Sequence, residues 1–320
     1  MAIPPGSTAP PLSSRSPATT AARAGLSLRQ REAVAGYLFA TPVILGFILF
    51  TLGPILLSIF FSLTSYDIIS TPRWVGWQNY VTLLGDGLFW QSIAVTTKAA
   101  VVGLPLGLAL SLGLAMLLNQ KIRAVSLWRT IYFLPSVVSG AAVAVLWLWI
   151  LNPVFGIVNS LLRQVGLQPP DWLNNDATAL WTLVVVSLWG VGGSIVIYLA
   201  GLQGIPTELY DAAKVDGATA WRRFIHVTLP MLSPVIFFNM VLGLIWQFQW
   251  FTEPYVMTQG GRDNTTLTFM LYLYRNAFSY FQMGYASAMA WIFFAIVLAL
   301  TLVLFRSGTM WVYYEGERRR

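Results

Sequence analysis

The chain has 320 residues, 57% of them hydrophobic and only 10% charged, with a mean hydropathy of +0.67. A soluble domain is nearer a quarter charged, and charge is what a water-facing surface needs and a lipid-facing one cannot carry, so an ordinary soluble globule is excluded. The net charge of +7 does not point to nucleic acid, because the basic residues lie between apolar runs; the lack of cysteine excludes a disulfide framework or thiolate metal site, and a single histidine, His226, leaves little for a histidine-based metal centre or a hydrolytic triad.

Residues 1–30 are rich in Pro, Ser, Ala and Thr and read as a disordered tail, because they cannot bury enough apolar surface to fold. The first apolar run, 34–63, is far longer than the roughly 7–15-residue core of a cleaved signal and reads as a retained anchor. A membrane-spanning helix takes about 20 apolar residues. Six runs qualify: 34–63, 93–118, 131–151, 180–202, 232–256 and 283–305, with 31–310 as the membrane domain and 311–320 as a second polar tail. The unbroken apolarity excludes barrel strands, which alternate, so the fold class is all-α and polytopic, with six transmembrane helices.

Along those runs, small residues at spacing four (Gly103, Gly107, Ser111) let a neighbouring backbone approach the second helix, and Pro54, Pro105 and Pro135 interrupt helices in a way that bundles tolerate. Fourteen Lys and Arg residues lie on the side shared by the termini and four on the other, which places both termini in the cytoplasm. Each of the three lysines, Lys98, Lys121 and Lys214, is followed by a residue other than Ser or Thr, so the chain has no P-loop ATP site. The spans hold no carboxylate except Glu253, whereas ion-coupled carriers place carboxylates inside their spans. An ion-coupled secondary transporter working without an ATPase is therefore the weaker alternative.

The loop joining the fourth and fifth runs, 204–230, reads as helix, break, helix. Pro206 suits a first turn, Glu208 the positive helix end, Asp216-Gly217 a stop with Gly217 left-handed, and Thr219 the cap of a second short helix. Leu209, Ala212 and Ala213 share one face, and the alanines leave room for a partner to come close. Equal counts of acidic and basic residues speak against a lipid-surface helix, which is usually basic.

This segment, through Glu208, Leu209, Tyr210, Asp211, Ala212, Ala213, Asp216, Gly217, Ala218, Trp221, Phe224, Thr228, Leu229, Pro230 and Pro234, resembles the EAA loop of binding-protein-dependent ABC importer permeases. Further matches are residues 74–80 (WVGWQNY) and Thr258-Gln259-Gly260-Gly261. Asp211 stands where the family more often has Glu, and Arg262 where it often has Pro. The pattern is similar to the maltose-type carbohydrate subfamily, and more to its first permease subunit than to its second. The resemblance implies an ABC type I importer permease fold in a bacterial inner membrane. It also implies a second permease subunit, two ATPase subunits that hold ATP and Mg in place of any cofactor on this chain, and an extracytoplasmic solute-binding protein that delivers a carbohydrate-like substrate. Glu208, Leu209, Asp211, Ala212, Ala213, Asp216 and Gly217 would then couple to the ATPase.

Transporter sites lie near the bilayer midplane where helices are irregular. The fourth run contains Trp189, Gly190, Gly193 and Ser194 in a glycine-rich break, and in the fifth Gly243, Gln247 and Trp250 fall on one face by four- and three-residue steps. Amide and aromatic side chains match the hydroxyls and apolar ring faces of sugars. Trp250 alternatively belongs to an aromatic belt and Gln247 to a helix contact. Glu253 meets solute or binding protein, or else pairs with Arg275.

Overall fold

With no water to hydrogen-bond the backbone in lipid, apolar runs satisfy their own amides by coiling. The computed structural model describes residues 27–120 and 123–313. The expected tails therefore lie outside the described residues, apart from 27–30 and 311–313. The chain divides into two units, Met1–Leu56 and Leu57–Arg320.

In the first unit, helix α1 opens at Leu28, within the stretch expected to be tail. Ser27 forms a reciprocal capping box: its hydroxyl accepts from the Gln30 N–H at 3.3 Å while Gln30 Oε1 accepts from the Ser27 N–H at 2.9 Å. The helical run Leu28–Ser62 passes through one wide π-turn at Ile48–Leu52.

The second unit begins with the last turns of that run and a two-residue hairpin, β1 (Thr64–Ser65) against β2 (Arg73–Trp74), antiparallel with Thr64 opposite Trp74. Asn79 donates its amide to the carbonyls of Ser62 and Thr64, both at 2.9 Å, and the Tyr80 hydroxyl donates to Ser62 Oγ. The motif at 74–80 thus ties the end of the first run. Helix α2 (Gln78–Leu84) leads to α3 (Gly87–Leu118), capped by Asp86, whose Oδ1 accepts from the Leu88 N–H at 2.9 Å.

The third run, expected as one helix over 131–151, is two: α4 (Val125–Val137) and α5 (Gly140–Ile150), bent by 101°. The break follows Pro135, where Val138 turns extended (ψ 141°) and Ser139 precedes the new helix. Helix α6 (Ile157–Gln164) lies in the next loop. The fourth run is also a bent pair, α7 (Ala179–Gly190) and α8 (Gly192–Gln203), at 50°. Then follow α9 (Thr207–Val215), α10 (Ala220–Phe248), α11 (Phe269–Tyr274) and α12 (Met283–Trp311). Among the described residues four runs are single helices long and apolar enough to span a membrane, and each bent pair counted as one span makes six.

Helix α3 is the central element, packed on α8, α10 and α11. The expected small-residue line is used for packing: a Cβ on Gly103 would meet Gln247 Nε2 of α10 at 3.2 Å, and one on Gly107 would touch Leu188 at 3.7 Å. Ser111 turns its hydroxyl back to the Gly107 carbonyl at 2.7 Å. Ala115, Tyr198 and Leu232 are wholly buried where α3, α8 and α10 meet.

Candidate functional site

Two regions carry the residues singled out in the sequence. The first is the segment from Pro206 to α10. Helix α9 starts at Thr207, with Pro206 as its N-cap rather than in its first turn; Glu208 occupies that turn. Its C-terminus is a Schellman closure: the Ala218 N–H bonds to the Ala213 carbonyl at 2.9 Å and the Gly217 N–H to the Lys214 carbonyl at 3.0 Å, with Gly217 at φ +73°. Thr219 then caps the next helix, accepting from the Arg222 N–H at 3.3 Å. That helix is not short; through a π-turn at Phe224–Thr228 it runs on as the fifth span.

The arrangement gives α9 two faces. Glu208, Leu209, Asp211, Ala212, Val215, Asp216 and Gly217 are exposed, with Asp211 and Lys214 paired at 2.7 Å. Tyr210 and Ala213 are half-buried. Ala213, one turn from Leu209, thus lies at the inner edge of the face beside Tyr210, while Ala212 stays outward. Tyr210 packs beside the cluster of Ala115, Tyr198 and Leu232, and its hydroxyl lies 3.0 Å from Thr228 Oγ1. The exposed face is acidic and apolar, small at Ala212, closed at its C-terminal end by Gly217 and tied from its inner side by Tyr210.

The second region is the pair of bent spans and the end of α10. Trp189 and Gly190 are exposed in a single 3-10 turn, and Trp189 makes an edge contact with Trp147 of α5 at 5.6 Å. A Cβ on Gly190 or Gly193 would meet open space. The tight glycine is Gly192, where a Cβ would come within 2.6 Å of the Tyr132 carbonyl. Ser194 is half-buried at the start of α8.

Gly243 and Gln247 face α3. A Cβ on Gly243 would lie 2.5 Å from Leu104 Cδ1, and Gln247 Nε2 is buried beside Gly103 without a hydrogen-bond partner among the described residues. Trp250 does not continue that face, because α10 ends at Phe248 and not near 256. It is 8% exposed, sits among Val95, Leu183 and Met257, and donates its indole N–H to Glu253 Oε2 at 2.8 Å. Thr268 Oγ1 holds the Trp250 carbonyl at 3.0 Å. Arg275 bonds to the Gln259 carbonyl and packs on Gly260, so Glu253 and Arg275 have different partners.

A third cluster carried no sequence signal. Asp86 Oδ2 accepts from the Tyr272 hydroxyl at 2.5 Å and the Tyr285 hydroxyl at 2.6 Å. Burial opposes the charge on Asp86, but the two phenols and the Leu88 and Phe89 N–H groups outweigh it and hold the carboxyl below the usual range. One carboxylate thus pins α3, α11 and α12 at the end opposite α9.

The bundle of bent and straight spans with an exposed, capped helix between the fourth and fifth is the fold of an ABC type I importer permease. The chain belongs to the binding-protein-dependent transport system inner membrane component family, whose pattern matches residues 103–311. It is similar to the probable ABC transporter permease protein YesP of Bacillus subtilis, at 43% identity over 296 residues, 90% of this chain and 94% of that protein. It is also similar to the trehalose/maltose transport system permease protein MalF of Thermococcus litoralis, at 32% over 287 residues, 88% and 96% of the two chains. Among solved structures, a chain of a bacterial ABC transporter that imports the acidic polysaccharide alginate superposes with a TM-score of 0.78 at 25% identity, covering 88% of this chain and 96% of that one. The chain is thus a permease subunit of an ABC importer, a polytopic membrane protein, and the ion-coupled alternative is left without support.

Proposed function

We propose that this permease forms half of the pathway for a sugar or oligosaccharide and that α9 is the helix through which separate ATPase subunits drive it. The observation that carries the coupling role is the bracing of an exposed face: α9 is closed at one end by Gly217, and its Tyr210 hydroxyl is hydrogen-bonded to Thr228 in the π-turn of α10. A push on Glu208, Leu209, Asp211 or Ala212 is then delivered to a membrane span instead of being lost in a loop. ATP and Mg belong to the partner chains in this reading, which also takes a second permease subunit, an extracytoplasmic binding protein, and both termini in the cytoplasm.

Support for a carbohydrate comes from relatives described as permeases for trehalose/maltose, lactose, arabinooligosaccharides and starch degradation products. Trp189, Gly190, Gly193 and Ser194 line the solute's route at the bend of the fourth span, where an exposed indole and unobstructed backbone meet a break in the helix. Gln247 and Gly243 border it through α3, while Trp250 and Glu253 brace the end of α10. Swinging such a transporter from 1:99 to 99:1 takes about 5.5 kcal/mol of differential binding, a task for ATP-driven closure of the partner subunits. Uptake of a panel of labelled mono- and oligosaccharides, amino acids and polyols in a strain lacking the gene tests the substrate class. Loss confined to one or a few sugars is the expected result, and loss confined to a non-carbohydrate would overturn it.

A further inference from the structure

A cleft of about 220 Å3 lies between α4 and α8, lined by Leu118, Arg129, Phe133, Gly192, Val196 and Leu199 among others. Arg129 reaches into it from α4. Its Nη2 donates to the Leu118 carbonyl at the end of α3, at 3.2 Å, and its Nε is buried with no hydrogen-bond partner among the described residues. A guanidinium has five N–H donors, and no carboxylate among the described residues lines the cleft. A cation left unpaired beside apolar walls is costly, and an anion that completes its hydrogen bonds is favoured there.

The walls decide which anion. Leu118, Phe133, Val196 and Leu199 offer hydrocarbon and no further donor, which suits an acyl chain and not a soluble ion. The cleft also lies at the basic end of the bundle, with Arg129 on the second turn of α4 and Arg123 just before that helix, and basic clefts between spans on that side take anionic lipid headgroups. We propose that this cleft binds one anionic glycerophospholipid, its phosphate on Arg129 and an acyl chain along Phe133, Val196 and Leu199. The floor is Gly192, pressed against the Tyr132 carbonyl, so the lipid wedges where α8 begins and holds α4 against the bend of the fourth span.

The test is native mass spectrometry of the intact transporter complex, purified through this chain and supplied with phosphatidylglycerol or phosphatidylcholine of matched acyl chains. Phosphatidylglycerol should be retained over phosphatidylcholine by roughly fivefold, the worth of one basic contact. Arg129→Gln should abolish that preference, Arg129→Lys should keep most of it, and Arg163→Gln, in the loop of α6, should leave it unchanged. Val196→Trp, which fills the apolar limb while Arg129 stays intact, should also lose the lipid and decides the matter if Arg129→Gln fails to assemble. Equal retention of the two lipids by the native complex would overturn the proposal, because a partner subunit would then cover the cleft. So would wild-type retention in Val196→Trp, or displacement of the lipid by inorganic phosphate alone, which would make it a site for a free anion.

Discussion

Gly217 has open space where a Cβ would go, yet its φ of +73° is one that L side chains resist. A substitution there tests backbone conformation without a clash. A non-glycine residue pays about 1–2 kcal/mol in this region, a β-branched one more, while asparagine is tolerated best. Transport by otherwise normally inserted protein should therefore fall in the order Gly217, Gly217→Asn, Gly217→Ala, Gly217→Val, with less ATPase co-purifying at each step. Equal uptake by all four would detach the turn from coupling. The opposite logic applies at Gly192, which is helical but crowded by another backbone: Gly192→Ala drives a methyl into the Tyr132 carbonyl and should lower stability by about 1–3 kcal/mol, read as the melting midpoint of the solubilised complex. Gly190→Ala meets nothing and should melt as the native chain does. No sequence pattern separates Gly190, Gly192 and Gly193, because the difference lies in how close another helix comes, and only Gly192 is approached by a backbone.

Among the elements, those built from local signals are the ones legible beforehand. Helix α9 and the turns at Gly217 and Thr219 were readable because these residues act on their own neighbours, whereas Pro206 lies one position before the turn expected for it. The break in the fourth run was readable from its glycines. In the third run an interruption was readable from Pro135, three residues before the break, but the 101° angle was not, because hydropathy is blind to direction. The early end of α10 was also hidden: Gln249, Trp250 and Phe251 include no breaker, and the Trp250 carbonyl is held by Thr268 from a distant part of the chain.

The Asp86 pin is non-local in the same way, joining residues 186 and 199 positions away in sequence. Asp86→Asn replaces charge-assisted bonds with neutral ones about half as strong, which should cost roughly 1–3 kcal/mol of stability. The carboxyl titrates below its ordinary value, so its contribution is fully present above about pH 4 and fades only as the pH falls through the lowered value. The difference in melting midpoint between the native chain and Asp86→Asn should stay flat from neutral pH down to about pH 5 and shrink in stronger acid. A difference that disappears between pH 7 and pH 5 would contradict the pin.

For the whole molecule, the central claim is that ATPase subunits act on the exposed face of α9. The cysteine-free chain allows a single reactive position to be placed at will. Labelling by a membrane-impermeant thiol reagent should reach Trp77→Cys in intact cells and spare Lys214→Cys, since the claim needs the 204–230 loop in the cytoplasm; the reverse pattern would invert the molecule. The most direct measurement carries a short photo-crosslinker on Ala212→Cys in the assembled, transport-active complex and identifies the captured chain. An adduct with the ATPase subunit from position 212, and none from Arg163→Cys in the α6 loop, is the predicted result. Failure of position 212 to capture the ATPase while transport remains intact, or capture of the ATPase from position 163, would contradict the account.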